Sequence, residues 1–445
     1  MKKLIFSKAW LLMLPALLFA ACQFEDDDYF DESASLRVEH ANEQIRQLLV
    51  KPEHGWVMQY FTGTGVAHFE GFNLFARFEA SGKVTLASNH RLLRGGNAGK
   101  FTEHASLYSL LLEDGPVLAF NTWNDVLTPF VDPVDPWRAP GALIKDGAGM
   151  QGDNNFVVTR YTDGEILLRG ERYGAEVRLV ACDRPWEEYI EAADKMKSTI
   201  TNTLVTAYYV TNGTDTLYLT GLRNGRMRYS ERLLDPLKAD SLAAVFTPAG
   251  FRLERTTALG SNEFHEFTLA ADSTCLQSED QQTRIIPCWD SYIVNRTTLW
   301  TFDESRYTAE QQTIIEQINQ EVLKFNNGWS LAAIGMGKTN NKNAVTGLVF
   351  TFYTNTRKSA TNTAGLALAT SRPAYGQMAI SVADKPAVDG NMDNLVNRGA
   401  KEMTTLARQF AATLAGTYAI TPDNYFLPTG AEFTSVSGGT SFKLN

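Results

Sequence analysis

The sequence predicts a mainly β protein with a few helices, an α+β chain with two β-rich domains. Three observations carry this prediction. Short segments with strand-like alternation recur along the chain, and turn-forming pairs such as Asp163-Gly164 separate them. A unit of helix, Gly-Trp and strand occurs twice. The chain has 445 residues, which is enough for two or three folded domains.

The repeated unit spans residues 36–78 and again residues 308–353. Each copy has an apolar stripe at helical spacing, a Gly-Trp pair, a short strand, a loop and a strand rich in aromatic residues. Gly55 and Gly328 are predicted to adopt the left-handed conformation that ends a helix. The tryptophans that follow them are predicted to anchor the core, with ligand stacking as the alternative.

After the first helix the chain reads as a succession of short strands joined by hairpins. This spacing predicts an antiparallel meander or barrel-like sheet of eight strands. The eight strands are predicted at residues 57–61, 72–79, 83–88, 106–111, 117–122, 155–161, 165–169 and 175–181. The sheet therefore forms the body of the first domain.

The second half of the chain is predicted to mix strands and helices. A helix at 186–199 closes the first domain, and a long helix is predicted from Asn394 to Leu414. The segment Phe246 to Phe251 contains Pro-Ala-Gly and predicts a turn between two strands. The predicted divisions are a signal peptide at 1–21, an acidic tether at 22–34, an N-terminal β-rich domain at 35–199 and a C-terminal α+β domain at 200–445, with a sub-boundary near 303.

The amino terminus has the pattern of a secretory signal. A lysine-containing start precedes an apolar run of roughly a dozen residues, whereas about 20 are needed to span a bilayer. The segment from Leu18 to Cys22 resembles a bacterial lipobox, so Cys22 is predicted to be lipidated and to anchor the chain to a membrane. An ordinary signal peptide with an incidental cysteine is the alternative.

Charge limits the choice of partners. Removal of residues 1–21 would take away three lysines and no acidic residue, so the net charge would fall from −9 to −12. This charge argues against nucleic acid and anionic membrane surfaces as partners. The dense acidic run at 25–32 should stay extended as a tether.

The cysteines allow one disulfide. Cys275 and Cys288 flank a polar stretch and could close a hairpin, since an exported protein can form disulfides. A pair of unbridged thiols is the alternative. Cys182 follows apolar residues and is predicted to be a buried thiol.

The segment from Trp123 to Gly141 is the candidate binding loop. Four prolines stiffen it, and its aromatic side chains alternate with acidic residues and an arginine. Such a loop could stack on a glycan or peptide and form hydrogen bonds to it. The predicted ligand-binding residues are Trp123, Asp125, Asp132, Asp135, Trp137 and Arg138. The alternative is a lid that folds over the barrel end and buries its rings.

Several segments resemble one family of Bacteroidetes lipoproteins, domain of unknown function 4302. They are Phe30-Asp31 with Ser33, Gly55-Trp56, the strand with Phe75 and Phe78, Gly82-Lys83-Val84, and Gly115 to Asn124. The resemblance continues more weakly over 300–435. It implies an accessory protein encoded beside outer-membrane nutrient transporters, facing the cell exterior. The periplasmic face is the alternative location.

The sequence favours binding over catalysis. It lacks HExxH, G-x-S-x-G and P-loop motifs, and its histidines are not paired at helical metal-site spacing. No catalytic residue, metal ligand or cofactor is predicted. The expected function is a non-catalytic, ligand-binding accessory protein of a nutrient-uptake system, partnered by a transporter complex and a glycan or peptide. The alternatives are a secreted hydrolase of unrecognised type and a structural or adhesive surface protein.

Overall fold

The first barrel is a closed antiparallel sheet of eight strands in chain order. The computed structural model describes residues 34–63, 69–113, 115–132, 149–201, 205, 207–230, 241–288 and 299–445. Helix α1 (Ala34–Val50) precedes β1 Trp56–Phe61, β2 Phe72–Phe78, β3 Lys83–Ser88, β4 Thr102–Leu112, β5 Pro116–Phe120, β6 Asn155–Tyr161, β7 Glu165–Gly170 and β8 Glu176–Ala181. Because β1 pairs with both β2 and β8, the sheet closes. The predicted eight-stranded meander is confirmed.

The Gly-Trp pair joins α1 to the first barrel. Trp56 is fully buried, and its indole N–H donates a hydrogen bond of 2.8 Å to the Leu49 carbonyl at the helix end. Gly55 has φ +67°, and a Cβ there would lie 2.5 Å from the Ala76 carbonyl oxygen. The left-handed conformation is confirmed, but the predicted role is wrong. Helix α1 ends at Val50, so Gly55 terminates the following turn instead.

The second barrel is also closed, and β16 pairs with β9. Helix α3 (Trp186–Ile200) leads into it, after the short α2 (Thr128–Val131) of the first barrel. Its strands are β9 Ala207–Thr211, β10 Thr216–Thr220, β11 Arg226–Ser230, β12 Ser241–Thr247, β13 Gly250–Leu259, β14 Asn262–Leu269, β15 Leu276–Ser278 and β16 Arg284–Pro287. The predicted turn between Phe246 and Phe251 is confirmed.

The two barrels dock directly on each other. The Gly71 amide donates a hydrogen bond of 3.0 Å to the Ala244 carbonyl, and the Asn73 side-chain amide donates one of 2.7 Å to the Phe246 carbonyl. Phe61 forms a small apolar cluster with residues of β12. These contacts fix the neighbouring walls of the two barrels relative to each other.

Residues 299–445 form a C-terminal unit with a four-stranded and a five-stranded sheet. The strands are β17 Trp300–Thr301, β18 Ser330–Lys338, β19 Thr346–Tyr353, β20 Thr361–Ala367, β21 Ala369–Ser371, β22 Gln377–Ser381, β23 Gly416–Pro422, β24 Ala431–Ser435 and β25 Phe442–Leu444. The helices are α4 Ala309–Phe325, α5 Gly390–Asn397 and α6 Met403–Ala412. Among the described helices, none has the length and apolar character required to cross a bilayer.

The second copy of the repeat is present in the C-terminal unit, where α4 precedes β18 and β19. Gly328 does not have the predicted left-handed conformation. Helix α4 ends at Phe325, and the next residue, Asn326, is extended. Trp329 is half-buried, with its ring centroid 4.9 Å from that of Phe325 and 6.3 Å from that of Phe352. It packs between helix and sheet.

The prediction of one long helix from Asn394 to Leu414 is wrong. The chain forms α5 and α6 with a break around Gly399, whose φ is +136°. A Cβ at this position would lie 2.9 Å from the Lys324 carbonyl oxygen. The apolar spacing continues through the break, which explains why periodicity alone suggested one helix.

Of the two alternatives for Cys275 and Cys288, the structure has the unbridged thiols and not the disulfide. Cys275 and Cys288 are buried thiols at the ends of β15 and β16. Leu276 faces Ile285 in this ladder, so the next residue opposite Cys275 is Ile286, two positions before Cys288. The register therefore separates the two sulfur atoms along the strands. Cys182 is a buried thiol, as predicted.

Candidate functional site

The described part of the candidate loop closes one end of the first barrel. Asn124 is buried, and its side-chain amide donates hydrogen bonds to the His104 carbonyl at 3.1 Å and to Ser106 Oγ at 2.9 Å. Phe130 is fully buried, and its ring centroid lies 4.8 Å from that of Phe72. Residues 124–131 therefore lie over the barrel end and bury Phe130 there, which is the part of the lid alternative that the described residues show.

Trp123 lies outside this lid with 53% of its surface exposed. Its indole N–H donates a hydrogen bond of 2.6 Å to Asp125, and the guanidinium of Arg94 lies 5.3 Å from the ring centroid. Arg94 also pairs with Asp132 at 2.8 Å. We call these four residues the Trp123 surface. The structure thus brings together three of the six predicted ligand-binding residues.

Asp125 holds the indole in place. Its hydrogen bond from Trp123, and its contact of 2.8 Å with His104 Nδ1, lower the pKa of the carboxyl below its usual range. The aspartate is therefore ionised at neutral pH and orients the exposed ring. The other predicted residues, Asp135, Trp137 and Arg138, lie outside the described residues, as does Cys22.

A second concave surface, which the sequence did not predict, lies where the barrels meet. This inter-barrel cleft has a volume of about 530 Å³, and an adjoining compartment has about 220 Å³. Glu70, Arg91 and Lys197 line both spaces. The cleft is completed by residues around the β10–β11 turn, including Arg223, Asn224, Arg226 and Arg228.

The cleft walls are rigid because they belong to docked strands and tight turns. The turn between β10 and β11 starts at Gly221 and ends at Gly225, both with positive φ. At Gly225 a Cβ would lie 2.9 Å from the Cβ of Glu70, so glycine permits the close approach of the two barrels here. The inter-barrel cleft is therefore formed by the fold itself.

Positive charge dominates the inter-barrel cleft. Among the described residues that line it, five are basic, and the one acidic residue, Glu70, pairs with Arg91 at 3.2 Å. Burial and the nearby charge of Arg228 lower the pKa of Arg226. The sequence feature that could have indicated this cationic site is the presence of three arginines within residues 223–228 of a chain whose net charge is −9.

One short loop contributes residues to both the inter-barrel cleft and the Trp123 surface. Residues 89–94 direct Arg91 into the cleft and Arg94 onto Trp123. His90 fastens this loop to the lid, since its Nε2 donates a hydrogen bond of 2.8 Å to the Val126 carbonyl. The other ring nitrogen accepts the Leu92 amide at 3.2 Å, which fixes this tautomer.

Fold and surfaces together define a mainly β protein with two docked barrels and a cationic cleft between them. The chain belongs to the family described as Domain of unknown function (DUF4302), whose model matches residues 26–271. The matched region contains the whole first barrel and most of the second, and it stops before 300–435. No curated protein matches the chain.

Solved structures share only weak similarity with the chain. The beta subunit of DNA polymerase from Streptococcus pyogenes is 11% identical, with 89% of this chain and 91% of that chain covered and a TM-score of 0.12. The DNA polymerase III beta chain from Streptococcus pneumoniae is 10% identical, with 92% and 96% covered and a TM-score of 0.11. Scores this low do not establish a shared fold.

Proposed function

We propose that this protein is a lipid-anchored binding protein on the outer membrane, facing the cell exterior. It captures a ligand in the inter-barrel cleft, without catalysis, as an accessory of a nutrient-uptake system. The observation that carries the binding role is the cleft itself. Its volume of about 530 Å³ lies within the range of small-molecule sites, about 300–1,000 Å³.

The construction of the cleft supports capture of a ligand. Walls from two docked barrels lose little conformational freedom when a ligand binds, which favours affinity. The Trp123 surface adds an exposed, oriented ring on the other side of the 89–94 loop. A glycan or peptide is the kind of ligand that uses both a cleft and a stacking surface.

The location rests on the lipobox-like segment and on the acidic run after Cys22. The prediction is that Cys22→Ser moves the protein from the membrane fraction to the soluble fraction and abolishes labelling with a fatty-acid probe, because serine lacks the thiol that is acylated. Cys182→Ser makes the same change in the folded body and should stay in the membrane fraction. Unchanged fractionation of the Cys22 variant would contradict the anchor.

The binding role is tested by filling the cleft. Asn224 is exposed on its rim, and Asn224→Trp should reduce ligand binding by about tenfold or more, since the indole would occupy the ligand volume. The probe is the acylated chain in detergent, applied to arrays of neutral and acidic oligosaccharides and peptides. Gln409→Trp, on the exposed face of α6, is the matched control. Equal binding by both variants would contradict a ligand in the cleft, and shortened products would support the hydrolase alternative.

A further inference from the structure

The charges of the inter-barrel cleft indicate the chemistry of its ligand. Arg223, Arg226 and Arg228 line one wall, and no described carboxylate lies within ion-pair distance of any of them. Elsewhere in the described chain, arginines commonly pair with acids, as Arg160 does with Glu165 at 2.7 Å. The chain as a whole has nine more acidic than basic residues. Cationic side chains are therefore concentrated at this cleft against the overall charge.

The Arg226 side chain contains an unsatisfied hydrogen-bond donor. Its Nε is buried and has no acceptor among the described residues. A buried donor without a partner is costly, and the neighbouring guanidinium of Arg228 adds repulsion. The other charged residues described in the cleft do not neutralise these arginines, because Glu70 is engaged by Arg91 and the Lys197 ammonium lies 4.9 Å from the Phe246 ring centroid. An anion in the cleft would supply the missing acceptor and neutralise the repulsion.

Strand geometry sets the spacing of the two Cα atoms from which the arginine side chains extend. Arg226 and Arg228 are two residues apart on β11 and lie on the same face, with the buried Met227 between them on the opposite face. Alternate residues of a strand are separated by about 7 Å. Arginine binds carboxylate, sulfate and phosphate groups through paired N–H donors. Two such arginines fit two anionic groups with a similar separation.

We propose that the inter-barrel cleft binds a small oligoanion through Arg226 and Arg228, one with two or more carboxylate, sulfate or phosphate groups about 7 Å apart. This inference rests on the proposed binding function and specifies its ligand class. Arg223 and Lys197 provide additional attraction at the edges of the cleft. The volume of about 530 Å³ favours a short ligand over a long polyanion such as a nucleic acid.

Calorimetric titration of the acylated chain in detergent tests the proposal. The probes are trigalacturonate for carboxylate, a sulfated disaccharide for sulfate and tripolyphosphate for phosphate, with the methyl ester of trigalacturonate as the uncharged counterpart. At least one anion should bind, more weakly as salt increases. Arg226→Gln with Arg228→Gln should weaken that binding by about 100-fold, since each lost charged hydrogen bond accounts for about tenfold.

Matched variants separate a specific site from general attraction. Arg357→Gln with Arg372→Gln removes the same charge from exposed positions of the C-terminal unit and should leave affinity unchanged. Arg226→Lys with Arg228→Lys keeps the charge and should recover part of the affinity. Equal losses in the cleft variant and the remote variant would overturn the proposal, as would equal binding of trigalacturonate and its methyl ester.

The outcomes also distinguish this inference from the proposed function. If no anion binds but a neutral array ligand does, and Asn224→Trp abolishes that binding, the oligoanion proposal is wrong and the binding role stands. If a long nucleic acid binds and the three short anions do not, the proposal of a short ligand is wrong. If neither anions nor array ligands bind, both proposals fail.

Discussion

Replacement of Asp153 by alanine should lower the free energy of unfolding by about 4 kcal/mol, because three backbone amides would lose a charged acceptor at once. Asp153 is buried two residues before β6 begins. Its carboxylate accepts the backbone amides of Arg172 at 2.9 Å, Tyr173 at 3.1 Å and Ala175 at 3.0 Å. These amides belong to the turn between β7 and β8, so the side chain holds that hairpin to β6.

Urea-induced unfolding at pH 7 measures this effect. Asp163→Ala is the control, since Asp163 is exposed and its ion pair with Lys51 should contribute less than about 1 kcal/mol. Gly170→Ala should also destabilise, because a Cβ at that position would overlap the carboxyl group of Asp153. A loss below 1 kcal/mol for Asp153→Ala would show that the hairpin does not depend on this carboxylate.

A second large effect is expected from pH acting on His90. The ring is buried beside Phe130, at 4.8 Å between centroids, and burial lowers the pKa of His90 from 6.5 to about 4. Because the folded state resists protonation of His90, the neutral ring makes its full contribution to the free energy of unfolding above pH 6.5. This contribution is lost as the pH falls through 4. This loss amounts to about 3 kcal/mol, from about 1.4 kcal/mol per pKa unit.

The measurement compares unfolding of the native chain and of His90→Gln between pH 7 and pH 4. The glutamine keeps a donor toward the Val126 carbonyl but cannot be protonated, so the variant should lose about 3 kcal/mol less stability over this range. His40→Gln, at an exposed histidine on α1, is the control for the effect of replacing a histidine by glutamine. Parallel pH profiles for the native chain and His90→Gln would contradict the assignment to His90.

The first barrel could be predicted because each of its strands is long enough to show alternation and most joins contain turn residues. In the second barrel, β15 and β16 have only three and four residues, too few for periodicity to reveal them. The break at Gly399 was missed for a different reason. The apolar spacing continues across it, and only the contact with α4 makes a turn necessary.

The candidate site was predictable only in part. Trp123 and Asp125 were recognised because they lie close together in an unusual aromatic segment. The inter-barrel cleft joins Glu70 to Arg226 across more than 150 positions, and its shape depends on how two barrels dock. No local pattern contains that information. The three arginines within 223–228 indicate a positively charged surface, but the sequence pattern does not show that this surface lies opposite Glu70.

Closure of both barrels restricts the ways in which this protein can recognise a partner. Every barrel strand pairs with a neighbour on each side, so neither barrel has a free edge strand. Recognition by strand addition, in which a peptide extends a sheet through main-chain hydrogen bonds, requires an open edge. Selectivity at the barrels must therefore come from side chains, and homologues could change their ligand by exchanging a few of them while the scaffold remains intact.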